Sequence, residues 1–255
     1  MYRACEGRTG LMYIDPEEPL AVGVVEAIRA GDLSALKRLL TENPGLATAR
    51  LGDVNGDGMS RTLLHVATDW PGHFPNGAAT VAALIEAGAD VNARFTGPHT
   101  ETPLHWAASS DDLDVLDALL DAGADIEAPG AVIGGGTPLA DATAFRQVRA
   151  AHRLVQRGAR TTLADAASLG LMERVEGYFA GAAPPAPDEV NRAFWGACHG
   201  GQRRCAEYLL NQGADLNWIP GWEAMTPLDA AQRSGADELV EWLRLQGAES
   251  AQERG

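Results

Sequence analysis

An all-α solenoid of stacked two-helix layers is the architecture this sequence predicts, and three observations carry that reading. A Gly-Ala pair closing an apolar segment recurs at Gly88, Gly123 and Gly158, at intervals of 35 residues, and again at Gly213 and Gly247, 34 apart. A threonine-led opening recurs as Thr62-Leu63-Leu64-His65, Thr102-Pro103-Leu104-His105, Thr137-Pro138-Leu139-Ala140 and Thr226-Pro227-Leu228-Asp229. Between opening and stop, leucine and alanine fall at helical spacing. Helices this short cannot bury their apolar faces alone, so each layer needs neighbours.

The stretch Thr102 to Asp125 shows the unit most completely. Thr102 can cap free backbone N–H groups, and Pro103 suits the first helical position. Leu104, Ala107 and Ala108 form the inner face of a first helix, and the alanines permit close approach. Asp111-Asp112 marks the turn. Leu113, Val115, Leu116, Leu119 and Leu120 give the second helix its apolar stripe. Gly123 stops it, because glycine adopts the left-handed conformation at little cost. This motif and period resemble the ankyrin repeat, and the resemblance covers roughly residues 20–249. It implies an ankyrin-repeat solenoid of about seven helix–turn–helix repeats with β-hairpin-like fingers between them. It also implies a scaffold that recognises a protein partner, without naming one.

In chain order, residues 1–18 read as an irregular lead-in and 19–45 as a first repeat without the threonine motif, as a terminal cap requires. A long acidic connection follows over 47–61; it superficially suggests a calcium loop but lacks the closing glutamate. The second repeat spans 62–92 and carries about five extra residues near Pro71–Pro75, which place Trp70, His73 and Phe74 at one edge of the stack. The third spans 102–127. Before the fourth, at 137–160, the segment Ala128–Gly136 holds three consecutive glycines. It lacks the Lys-Ser/Thr ending of a phosphate-binding loop, so it reads as a flexible finger. Repeats follow at 163–183, 191–217 and 226–249, with a polar tail at 250–255. At Gly158–Thr162 the usual protruding finger is missing, which predicts a notch near repeats four to six.

The net charge of −15 opposes a nucleic-acid partner. No apolar run reaches the ~20 residues that a membrane span needs, and the first residues lack the apolar core of a secretory leader. Three cysteines, Cys5, Cys198 and Cys205, without paired spacing suggest a reducing, cytoplasmic setting. No metal or cofactor motif stands out. A monomer is expected.

Register places the two residues after each alanine pair on the concave groove: Asp69 and Trp70, Ser109 and Ser110, Ala144 and Phe145, Ser168 and Leu169, His199 and Gly200, Arg233 and Ser234. With Trp106, Trp195, Trp218, Trp222, His73 and Phe74 these mix aromatic anchors with polar groups, as a binding surface does. A second reading is enzymatic. Asp141 and Asp165 read as occupying the position between the motif histidine and the alanine pair. Beside His105 and His199 they would form an acid–base group for a hydrolase or lyase acting on a small molecule in the notch. Against this, the resemblance gives His65 and His105 a structural hydrogen bond between repeats, and Trp195 occupies the same register. Cys198 and Cys205 read as small core residues.

Overall fold

Each threonine-led opening begins a helix. The computed structural model describes residues 5–6, 12–53, 58–181 and 183–254. The suggested calcium loop falls partly on 54–57, outside the described residues, as does the side chain of Cys5. Helices run in pairs: α1 (Pro19–Ala30) with α2 (Leu33–Glu42), α3 (Leu63–Thr68) with α4 (Gly77–Glu86), α5 (Pro103–Ser109) with α6 (Leu113–Asp121), and α7 (Pro138–Ala144) with α8 (Val148–Gln156). Then come α9 (Leu163–Ser168) with α10 (Met172–Phe179), α11 (Pro187–His199) with α12 (Arg203–Asn211), and α13 (Pro227–Ser234) with α14 (Asp237–Leu245). The expected polar tail carries a short α15 (Ala251–Arg254). No described helix is long and apolar enough to cross a membrane.

The chain divides into two compact units, Met1–Ala159 and Arg160–Gly255. In the first, Leu36, Leu64, Leu104, Leu116, Leu139 and Leu154 are fully buried. In the second, Leu163, Phe194, Leu209, Leu228 and Leu243 form the core. The glycines predicted to stop helices do so with positive φ: Gly88 at 100°, Gly123 at 88°, Gly158 at 102°, Gly213 at 92° and Gly247 at 89°.

The described part of the lead-in carries two short strands, where the sequence suggested irregular chain. Strands β1 (Cys5–Glu6), β2 (Met12–Ile14), β3 (Arg50–Gly52) and β4 (Ser60–Thr62) form a sheet in that order. β2 runs parallel to β3, and the other two pairings are antiparallel. Buried Arg50 ties this sheet to the next finger, bonding Ser60 Oγ at 2.8 Å, the Arg94 carbonyl at 2.8 Å and Thr96 Oγ1 at 2.9 Å. A guanidinium satisfies several acceptors from one rigid plane, which suits a buried junction of backbone carbonyls.

The layers share a second link. His65 Nδ1 accepts from the Thr62 amide at 3.4 Å and contacts the Thr62 hydroxyl at 2.8 Å. Its Nε2 therefore carries the proton and donates to the Glu101 carbonyl at 3.1 Å, the residue before the next motif threonine. His105 repeats this with Thr102 and the Gly136 carbonyl, at 3.3 Å. Burial lowers the pKa of His65 to about 3 and of His105 to about 4, so both stay neutral. In the second unit Trp195 does the same with its indole N–H, donating to the Met225 carbonyl at 3.0 Å, just before Thr226.

α9 and α11 approach closely because Gly196 and Gly200 carry no side chain. A Cβ at Gly200 would overlap the Ser168 carbonyl. Gly200→Ala should therefore cost about 1–3 kcal/mol, read as a lowered Tm; an unchanged Tm would show the contact to be loose.

Candidate functional site

The first unit contains a cavity of about 460 Å³ lined by Asp69, Trp70, Glu101, Trp106, Ser109, Ser110, Val132, Phe145 and Gln147. It lies over the second to fourth helix pairs, ahead of the position where the sequence suggested a notch. Trp70 and Asp69 come from the loop 69–76 between α3 and α4, eight residues where the next pair has three, 110–112. The Asp112 carboxylate holds that loop by accepting from the His73 amide at 2.6 Å. Trp106 projects from α5, and Phe145 caps α7. Val132 comes from the glycine-rich finger, which is a closed hairpin: Gly130 donates to Gly135 at 3.0 Å and Ala131 to Gly136 at 3.0 Å. That finger supplies a wall of the cavity.

The rim is apolar and open to water. Trp70 is 79% exposed, Phe145 46% and Val132 44%. The floor is acidic and buried. Glu101 is 5% exposed, and its Oε2 accepts from the Trp106 indole at 2.9 Å and lies 2.6 Å from His99 Nδ1. His99 in turn stacks on Phe95. Asp141 is fully buried beside Glu101, and neither of its oxygens has a hydrogen-bond partner. Its pKa is raised from 3.8 to about 8, first by burial and then by the neighbouring Glu101. The Val132 amide opposes that rise without closing a bond of proper geometry. Asp141 is thus a carboxylic acid at neutral pH.

The remaining polar lining groups are committed. Asp69 pairs with Arg61 at 2.8 Å and Arg29 at 3.5 Å. Ser109 donates to the Trp106 carbonyl, Ser110 to the Thr68 carbonyl and Gln147 to the Ser109 carbonyl.

Six residues expected on the groove thus line one cavity: Asp69, Trp70, Trp106, Ser109, Ser110 and Phe145. His73 and Phe74 sit on the same loop, away from the lining. The sequence reading missed Glu101, His99, Val132 and Gln147. The acidic residue just before the Thr102 motif was the available signal for Glu101.

In the second unit, the Trp195 ring stacks on His199 with centroids 5.2 Å apart. Trp222 meets Trp195 at 6.1 Å and Trp218 at 5.7 Å, edge to face. Arg233 pairs with Glu223 and reaches His199 Nδ1 at 3.3 Å; Arg192 lies 4.9 Å over Trp222. Ser168 packs where α11 crosses α9. Cys198 and Cys205 are buried free thiols.

The acid–base reading needs correction. Asp165 does not share the register of Asp141. Counted from the threonine, Asp165 stands at the histidine position, whereas Asp141 stands at that of Trp106. The Asp165 carboxylate accepts from the Thr162 amide at 2.8 Å and the Thr162 hydroxyl at 2.7 Å, closing a capping box. Asp229 does the same for Thr226. His105 is spent on its own helix start and the next layer. Two of the four candidate groups are therefore structural. Among the described residues, no group of three or more His, Cys, Asp or Glu side chains could hold a metal.

Comparison with known proteins agrees with this architecture. The family profile for ankyrin repeats (three copies) matches residues 24–130 and 76–165, more than half of the chain. An ankyrin repeat and KH domain-containing protein of Caenorhabditis briggsae is 29% identical over 186 residues, covering 69% of the chain. The match spans 7% of that protein's length. The human ASB11 ankyrin repeat domain, solved by crystallography, superposes with a TM-score of 0.51 at 23% identity, covering 93% of this chain and 91% of that one. The chain belongs to the ankyrin-repeat family, whose members generally serve as protein–protein interaction modules.

Two outcomes test these assignments. Asp165→Ala should lower stability by about 1 kcal/mol by removing the cap, measurable by urea unfolding; an unshifted midpoint would refute the capping role. For Asp141, the folded pKa lies above the unfolded one, so the unfolded state releases its proton first. Stability is then lost as pH rises from about 4 to about 8. Asp141→Asn cannot ionise, and should gain on the wild type by up to about 3 kcal/mol between pH 5 and pH 8. Parallel stability curves would show that Asp141 titrates normally.

Proposed function

We propose that this chain is a non-enzymatic scaffold and that the groove over its second to fourth helix pairs, from Trp70 to Phe145, seats a protein partner. The observation that carries the reading is the exposed apolar rim of Trp70, Val132 and Phe145 around a cavity of about 460 Å³. None of the three is buried in the unit's own core. Apolar surface held in water forgoes about 25 cal/mol for each Å² that burial would recover. Aromatic anchors over a recess are the usual source of interface affinity.

The local sequence supports the same reading. The five-residue insertion carries Trp70 outward, and the glycine-rich hairpin carries Val132 over the recess. Partner binding asks nothing of His105 or Asp165 beyond their structural roles.

The test is affinity capture from a lysate with wild-type chain, a Trp70→Ser/Phe145→Ser double variant, and Leu245→Ser as a control on another exposed apolar residue. Captured proteins should be lost tenfold or more with the double variant and kept with the control. Retention by the double variant would place recognition elsewhere.

A further inference from the structure

The recess is built of two parts that each lack something. Its rim offers aromatic faces and a valine to water, and its floor is the Glu101 carboxylate, with Asp141 buried beside Glu101 and outside the lining. Asp141 has no hydrogen-bond donor on either oxygen. A buried acceptor left unpaired is costly, so such a group in a folded protein calls for an explanation. The hydroxyl and amide groups around the recess cannot supply one, because Ser109, Ser110 and Gln147 donate within the fold. Asp69 is matched by Arg61 and Arg29. What the recess presents is an aromatic collar over the Glu101 carboxylate, against which His99 lies.

An occupant that answers both parts has an apolar stem and a cationic, donor-rich head. Aliphatic stems of basic side chains cover apolar surface while their heads seek charge. A guanidinium adds a flat face that stacks on Trp and Phe and a fork of donors that matches carboxylates. The charge of the whole chain, −15, attracts such a partner from a distance. We infer that the recess between Trp70, Trp106 and Phe145 is the seat of an arginine side chain from the partner protein, with Glu101 receiving the guanidinium and Asp141 standing behind it.

This assignment rests on the groove being the recognition surface, and one experiment separates the two. A random linear peptide library displayed on phage is selected against the full chain, with Trp70→Ser as the counter-selection. Trp70 is exposed, so that variant leaves the core intact. Recovered peptides should share an arginine. Replacing that arginine with citrulline, which has the same shape without charge, should weaken binding tenfold or more, and Glu101→Gln should weaken the arginine peptide but not the citrulline one. Peptides that need Trp70 yet bind equally with citrulline would overturn the arginine seat and leave the groove standing. Recovery of no peptide that depends on Trp70 would overturn both.

Discussion

One hydrogen bond, repeated from layer to layer, underlies the regularity of this chain. At His65, His105, Asp165 and Asp229 the third residue of the first helix turns its side chain back to the motif threonine, and in three layers a side chain reaches forward to the carbonyl preceding the next threonine. His65, His105 and Trp195 make that forward bond to Glu101, Gly136 and Met225. The Glu101 and Gly136 carbonyls already accept from the Phe95 and Ala131 amides, and the histidine N–H takes the second acceptor position, tying the finger to the preceding layer. Histidine suits the task because one ring nitrogen accepts while the other donates, provided the ring stays neutral. Burial ensures that. Tryptophan keeps only the forward donor. Aspartate, at 165 and 229, keeps only the backward cap. The three residue types thus divide one two-sided job according to their donors and acceptors.

That division explains why the acid–base grouping dissolves. Aspartate at the histidine position has its threonine to hold, and its carboxylate is occupied. Asp141 differs because it stands one position later, where the preceding layers carry Val66 and Trp106. A carboxyl group in an apolar slot has no cap to make. It is buried beside Glu101 instead and holds its proton to about pH 8.

The same displacement gives the first unit its character. Glu101 is the residue whose backbone carbonyl receives the His65 bond, and its side chain receives the Trp106 indole. A structural link and an acidic floor therefore share one residue. The loop at 69–76 and the hairpin at 130–136 are anchored to the next and preceding layers, by His73 to Asp112 and by Gly136 to His105, and they carry the exposed Trp70 and Val132 to the rim. Layers set the scaffold, and insertions between them shape the recess.

Much of this was legible in the amino-acid order. Threonine openings, alanine pairs and glycine stops each encode a local event, namely a cap, a close contact or a left-handed residue, so periodicity located the paired helices and most of their ends, though not the start of α11 at Pro187 or the short α15. Counting from those landmarks also placed Asp69, Trp70, Ser109, Ser110 and Phe145 on one surface. What the order left undetermined depends on distance through space. The pairing of Met12–Ile14 with Arg50–Gly52, the approach of Glu101 to Asp141, and the hairpin laying Val132 across the recess join residues far apart in the chain. Desolvation and charge coupling at Asp141 exist only once those neighbours arrive, so tertiary structure alone decided which carboxylate became a cap and which a buried acid.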